Sequence, residues 1–123
     1  YGSSSVPQEL VEKINKYGGN MPGAKGVPVE QLVESIDYGV RKINIDTDLR
    51  MAATATIREI FTETPEAFDP RKYLAPAMEA MSEVVESRME SFRTAGKAEG
   101  LGEAVSLEDM AKQYEKDGAF PKA

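Results

Sequence analysis

Only one stretch of this chain reads as a β-strand, and a strand cannot stand alone. Val40-Arg41-Lys42-Ile43-Asn44-Ile45 alternates apolar and polar residues in part and is rich in β-branched types, as a short buried strand should be. An unpaired strand leaves N–H and C=O groups open along both edges. Every other periodic segment is helical. Apolar stripes run through Val6, Leu10, Val11 and Ile14, through Val29, Leu32, Val33 and Ile36, and through Leu49, Ala53, Ile57, Ile60 and Phe61. A long one carries Leu74, Ala77, Met78, Met81, Val85, Met89 and Phe92, and a short one Leu107, Met110 and Tyr114. One strand among five or six helices implies helix faces shaped to cover a sheet that is mostly missing. The methionines at helical spacing then belong to core or interface rather than to a cofactor site.

Breakers and caps divide the helices. Ser5 with Gln8 predicts a capping box, with Pro7 in the first turn. Tyr17-Gly18-Gly19 stops that helix, and residues 20–27, with Pro22, Gly23 and Gly26, form a loop. The second helix begins at Pro28. Thr64-Pro65 and Asp69-Pro70 each read as an N-cap followed by Pro at the first helical position. The second pair opens the long helix, which is expected to stop near Gly96. A loop from Gly96 to Val105 and a last helix capped by Ser106 with Asp109 complete the chain.

The polar cluster Asn44-Ile45-Asp46-Thr47-Asp48 lies where the strand ends and the next helix begins. Strand-to-helix turns of α/β proteins bind ligands, because free backbone N–H groups and the positive end of the helix dipole point out of them. Asp46 or Thr47 as a plain helix cap explains the same residues. Gly2-Ser3-Ser4-Ser5 likewise precedes a helix and suits an anion, while also fitting a plain terminus. Two such turns, separated by a helix and a strand, look like adjacent βα loops of a barrel. The loops after the last two strands of a (β/α)8 barrel commonly build its phosphate site.

A length of 123 residues is enough for one compact domain, and 41% hydrophobic with 29% charged residues is ordinary for a globular protein. A net charge of −6 and the lack of a basic stripe argue against nucleic acid. Arg41-Lys42 is an isolated basic pair, expected on a solvated strand face. No apolar run approaches the roughly 20 residues that span a bilayer, so no membrane partner is expected. With no cysteine and no leader-type segment evident, a cytoplasmic location is expected. The start without Met suggests a fragment or a processed product.

Longer motifs carry a specific resemblance. Gly2-Ser3-Ser4-Ser5-Val6-Pro7, Asn15-Lys16-Tyr17-Gly18-Gly19, Gly26-Val27-Pro28, the run Gly39 to Asp48, and Phe68-Asp69-Pro70-Arg71-Lys72-Tyr73-Leu74 resemble class II fructose-bisphosphate aldolase. The likeness covers residue 1 to about Gly96 and corresponds to the last third of such an enzyme. It implies an α/β fold, the C-terminal segment of a (β/α)8 barrel, helix-dominated with one clear strand. Residues 1–96 would be the last βα units and residues 97–123 a C-terminal loop and helix.

The resemblance also implies roles. Gly2 and Ser4 would bind a phosphate of the ketose, and Asn44 would contact the dihydroxyacetone phosphate skeleton and orient the enediolate. Asp46, through its backbone, and Thr47 would complete the phosphate cradle. Arg50 would grip the second phosphate, for which a guanidinium suits bidentate contact. Asp69 and Arg71 would reach toward the sugar in a neighbouring subunit, with a simple N-cap as the alternative for Asp69.

Metal is where the pattern departs. The family's motif begins with a zinc-binding His, but this chain has Tyr1 there and contains no His and no Cys. Catalytic zinc usually takes three protein ligands and an open position. A phenol is a poor ligand near neutral pH because its proton leaves near pH ~10. Zinc is therefore expected in the complete family enzyme but not on this chain alone. Two functions follow: the C-terminal part of an aldolase that reversibly cleaves fructose 1,6-bisphosphate, or a non-catalytic sugar-phosphate-binding or dimerisation module derived from one. The expected partners are a sugar phosphate and either the missing N-terminal barrel segment or another copy, giving a homo-oligomer.

Overall fold

A computed structural model describes residues 5–23, 25–101 and 105–116. Five α-helices follow one another: α1 (Gln8–Lys16), α2 (Val29–Asp37), α3 (Thr47–Glu63), α4 (Pro70–Ser91) and α5 (Leu107–Lys116). A 3-10 turn, Ala98–Leu101, separates the last two. Helix dominance agrees with the periodicity, but the expected strand does not form. Residues 40–46 are irregular, and no strand occurs among the described residues. The alternating pattern is real, yet a strand exists only through a ladder, and the described residues include no neighbouring strand to supply one.

The centre of the structure is a helical hairpin with a third helix laid along it. Phe61 meets the ring of Tyr73 edge-on at 4.9 Å, and Asp48 meets Arg88 at 2.6 Å, so α3 and α4 run antiparallel. Small side chains suit a close approach: Ala52 of α3 and Ala77 of α4 are both buried. On the other side of α3, Val11 and Ile14 of α1 pack with Met51 and Ala55. Partners shift in step along both helices, Ser5 with Asp48 and Tyr17 with Glu63, so α1 runs parallel to α3. No residue of α2 or α5 is buried.

Helix ends account for several departures from expectation. After α1, Gly19 N–H bonds to Ile14 O (2.8 Å) and Gly18 N–H to Asn15 O (3.3 Å), with Gly18 at φ 80°. That is a Schellman closure, and the Gly18-Gly19 stop holds as read. After α2 the same closure uses Gly39, at φ 102°, with Val40 N–H on Ser35 O. Val40 is thereby drawn into a helix stop rather than a strand. The long helix ends at Ser91, short of Gly96, because Arg93 takes the left-handed position at φ 60° and Thr94 N–H closes onto Met89 O. Arg93 also pairs with Asp37 at 2.9 Å, which ties it there.

Three further readings are corrected. The Ser5–Gln8 capping box does not form: Pro7 is the N-cap, no side chain caps α1, and Ser5 turns to Asp48 instead. Thr64-Pro65 opens no helix; Thr64 is the C-cap of α3, and residues 65–66 form a turn. In α4 the predicted stripe is only partly inward. Ala77 is buried, whereas Leu74, Met78, Val85 and Met89 are exposed. Two caps hold as read: Asp69 accepts from Arg71 N–H at 3.0 Å, and Ser106 Oγ accepts from Asp109 N–H at 3.1 Å.

Candidate functional site

Helix α3 opens on the polar cluster that the sequence singles out. Asp46 is its N-cap, but its side chain accepts no capping hydrogen bond; its carboxylate instead pairs with Arg50 at 2.9 Å, one turn on. Both side chains are well exposed, and the first turn keeps its free backbone N–H groups. Thr47 and Arg50 line a shallow hollow of about 280 Å3 with Asn20, Met21 and Arg58. Arg50, paired with Asp46, sits in the first turn of α3, and Arg58 reaches the hollow from further along the same helix. Asn44 stands outside it, exposed, and accepts a hydrogen bond from Lys42 Nζ.

Asp48 points the other way. Its carboxylate is 1% exposed and holds the one buried ion pair described here. Ser5 Oγ donates to it from 2.7 Å of both oxygens, while Arg88 Nε and Nη2 lie 3.0 and 2.6 Å from Oδ2. Three distant parts of the chain therefore meet at one carboxylate: the segment before α1, the start of α3 and the end of α4. Removing one partner of such a buried pair costs about 3–5 kcal/mol, because a charge is left uncompensated. The sequence reading did not single out Arg88. Its signal was positional: Arg88 continues the inward spacing of Ala77, Met81 and Val84, and a cation in that stripe requires an acid opposite.

Asp69 and Arg71 lie elsewhere. Arg71 forks onto Asp69 at 2.5 and 3.0 Å, and this contact, with the Arg71 backbone N–H, holds the Asp69 carboxyl below its ordinary value. They start α4 at the far end of α3 from Asn44. The 17 residues of α3 set these two places about 25 Å apart at ~1.5 Å per residue. No single sugar bisphosphate bridges them within one chain. Tyr1, Gly2 and Ser4 lie outside the described residues.

A second polar cluster, also missed in the sequence, ties α1 to α3. Lys13 Nζ reaches Glu59 at 2.5 Å and holds its carboxyl below the usual 4.5. Tyr17 Oη accepts from Lys16 and lies 3.0 Å from Glu59 and 2.8 Å from Glu63. The Lys16 contact pulls the phenol down, but Glu63, burial and Glu59 outweigh it and raise it above 10.0.

Among the described residues no three His, Cys, Asp or Glu side chains come together in a way that could hold a metal. Zinc sites draw on imidazole, thiolate and carboxylate donors; of these the chain has only carboxylates, and among the described residues they do not gather into a site that fits zinc. No described helix is long and apolar enough to cross a membrane.

Comparison with known proteins settles the family. The model of the class II fructose-bisphosphate aldolase family matches residues 1–97. The chain belongs to that family. It is 53% identical over 122 residues to fructose-bisphosphate aldolase 2 of Cereibacter sphaeroides, covering 99% of this chain and 34% of that protein. The fructose-bisphosphate aldolase of Xanthobacter flavus is 54% identical over 114 residues, 93% of this chain and 32% of that protein. That of Giardia intestinalis is 50% identical over 93% of this chain and 35% of its own length. The chain thus spans about a third of the relatives it matches. A family of (β/α)8 barrels explains why the helices here carry faces with no sheet of their own.

Proposed function

We propose that this chain is the sugar-phosphate-binding part of a class II fructose-bisphosphate aldolase, acting in reversible cleavage of fructose 1,6-bisphosphate to dihydroxyacetone phosphate and glyceraldehyde 3-phosphate. The observation that carries the reading is the join at Ser5 and Asp48. A hydrogen bond fixes Ser5, the residue that follows Ser4 in sequence, to Asp48 at the start of α3, which supports the adjacency that a shared phosphate cradle needs. Gly2, Ser4, the Asp46 backbone and Thr47 would hold one phosphate through amides and hydroxyls at helix starts. Asn44 would orient the carbon skeleton, and Arg50 would take the second phosphate at a hollow that Arg58 makes more positive. Asp69 and Arg71, about 25 Å away along α3, would serve the site of a neighbouring subunit in a homo-oligomer. Zinc, with its ligands, would come from outside this chain. Residues 1–96 would form the barrel part and residues 97–123 an appended loop and helix, in a cytoplasmic enzyme.

Titration of the 123-residue chain with dihydroxyacetone phosphate, followed through backbone amide signals, tests this. Shifts confined to residues 2–5 and 44–47 are expected. Shifts spread over surface lysines, or none, would reject the cradle. Affinity should be weak, since the missing barrel no longer braces the turns.

A second reading rests on the absence of His and Cys, with Tyr1 where the family has a zinc ligand. On it the chain is a sugar-phosphate-binding or dimerisation module without catalysis. The native mass of the source protein separates the two. A polypeptide near 300 residues or more supports the enzyme, and one of 123 residues supports the module.

A further inference from the structure

Arg88 has no part in the phosphate chemistry just described, yet among the described residues it is the cation that neutralises the buried Asp48. We propose that Arg88 is a positioning residue that, through Asp48, locks Ser5 against the start of α3, so that the phosphate-binding turn Asn44 to Thr47 is held in one arrangement. The significance of this lock rests on the cradle reading above; its geometry does not.

The lock sits one residue from the cradle on both sides. Ser5 follows Ser4, and Asp48 follows Thr47. Their 2.7 Å contact joins positions 43 residues apart and holds Ser5 at the start of α3. Ser5 is 3% exposed although it lies outside any helix, so little besides this contact and its packing fixes it. A hydroxyl alone cannot stabilise a carboxylate at 1% exposure. The Arg88 fork does, from a helix already held to α3 by the Phe61–Tyr73 pair. Without Arg88, Asp48 is left as a buried charge with no compensating cation, which favours its turning toward water, and Ser5 then loses the two-oxygen acceptor it now has. The Lys13–Glu59 pair also joins the start of the chain to α3 but lies further along both helices, which makes it the natural control.

The test is binding of inorganic phosphate to the 123-residue chain, read at the amides of residues 5 and 44–47, with Arg88→Met, Ser5→Ala, their double variant, and Lys13→Ala. Arg88→Met and Ser5→Ala should each weaken binding by about tenfold. The double variant should be no weaker than the worse single one, since both break one lock. Lys13→Ala should lower helix stability yet leave affinity within about twofold. Unchanged affinity in Arg88→Met, or fully additive losses, would overturn the proposal. If Arg88→Met fails to fold, Ser5→Ala alone decides, and a wild-type affinity there rejects the lock. Absence of phosphate binding to the wild type would fail the cradle reading instead. The lock is then judged on the Ser5 and Val6 amide positions, which must move in Asp48→Asn and not in Lys13→Ala.

Discussion

Asp46 competes with any phosphate that approaches the start of α3. Its carboxylate holds the Arg50 guanidinium at 2.9 Å, so an incoming anion must first separate an existing pair. The pair is exposed, and exposed pairs are worth about 0.2–1 kcal/mol. Asp46→Asn should therefore strengthen sugar-bisphosphate binding by roughly two- to fivefold, measured by the same amide titration; weaker binding would show that the carboxylate itself assists. Gly19 is constrained by contact. A Cβ there would lie 2.6 Å from the Ile14 carbonyl oxygen and 2.4 Å from Ile14 Cγ2. Backbone cannot give way as a side-chain tip can, so Gly19→Ala should cost about 1–3 kcal/mol, seen as faster amide exchange in α1. The residues of the family motif were legible because they form ordered runs. Arg88 and the acid role of Asp48 were not, because pairing across 40 residues leaves no local mark.

At the scale of elements, helices were legible where their stops are glycines. Gly18 and Gly39 supply left-handed backbone at little steric cost, and α1 and α2 end there. The end of α4 was misplaced because a non-glycine, Arg93, fills the same position and is held by Asp37. The strand was misread for a different reason: alternation in Val40 to Ile45 suits a sheet, and the described residues hold no second strand to pair with it. The α1–α3 interface carries a pH response. Lys13 keeps the Glu59 carboxyl below 4.5 in the folded state, so this contribution to stability is complete above that value. It is lost as pH falls through the lowered folded value. Helicity followed by circular dichroism should decline on that acid side, and Glu59→Gln should remove part of the dependence; an identical acid profile in the variant would assign the loss to other carboxylates.

For the whole molecule, the decisive quantity is apolar surface without cover. Buried hydrophobic residues are confined to α1, its C-cap Tyr17, and the hairpin, while α4 turns Leu74, Met78, Val85 and Met89 outward. These four recur at helical spacing, so they form one stripe rather than scattered exposure. Leu49 joins Met78, Met81 and Val85 in an apolar depression of about 380 Å3 along the same helix. In a family of (β/α)8 barrels such a face is covered by other parts of the barrel or by another copy. Contiguous apolar patches of this kind drive association in water. The 123-residue chain should therefore elute above its monomer mass in size-exclusion chromatography with light scattering, increasingly so at higher concentration. Met78→Glu with Val85→Lys, which interrupts the stripe without touching the buried Ala77, should shift the distribution toward monomer. A clean monomer with cooperative unfolding in the unaltered chain would mean that the hairpin and α1 suffice as a core, and that the outward stripe is tolerated exposure rather than an interface.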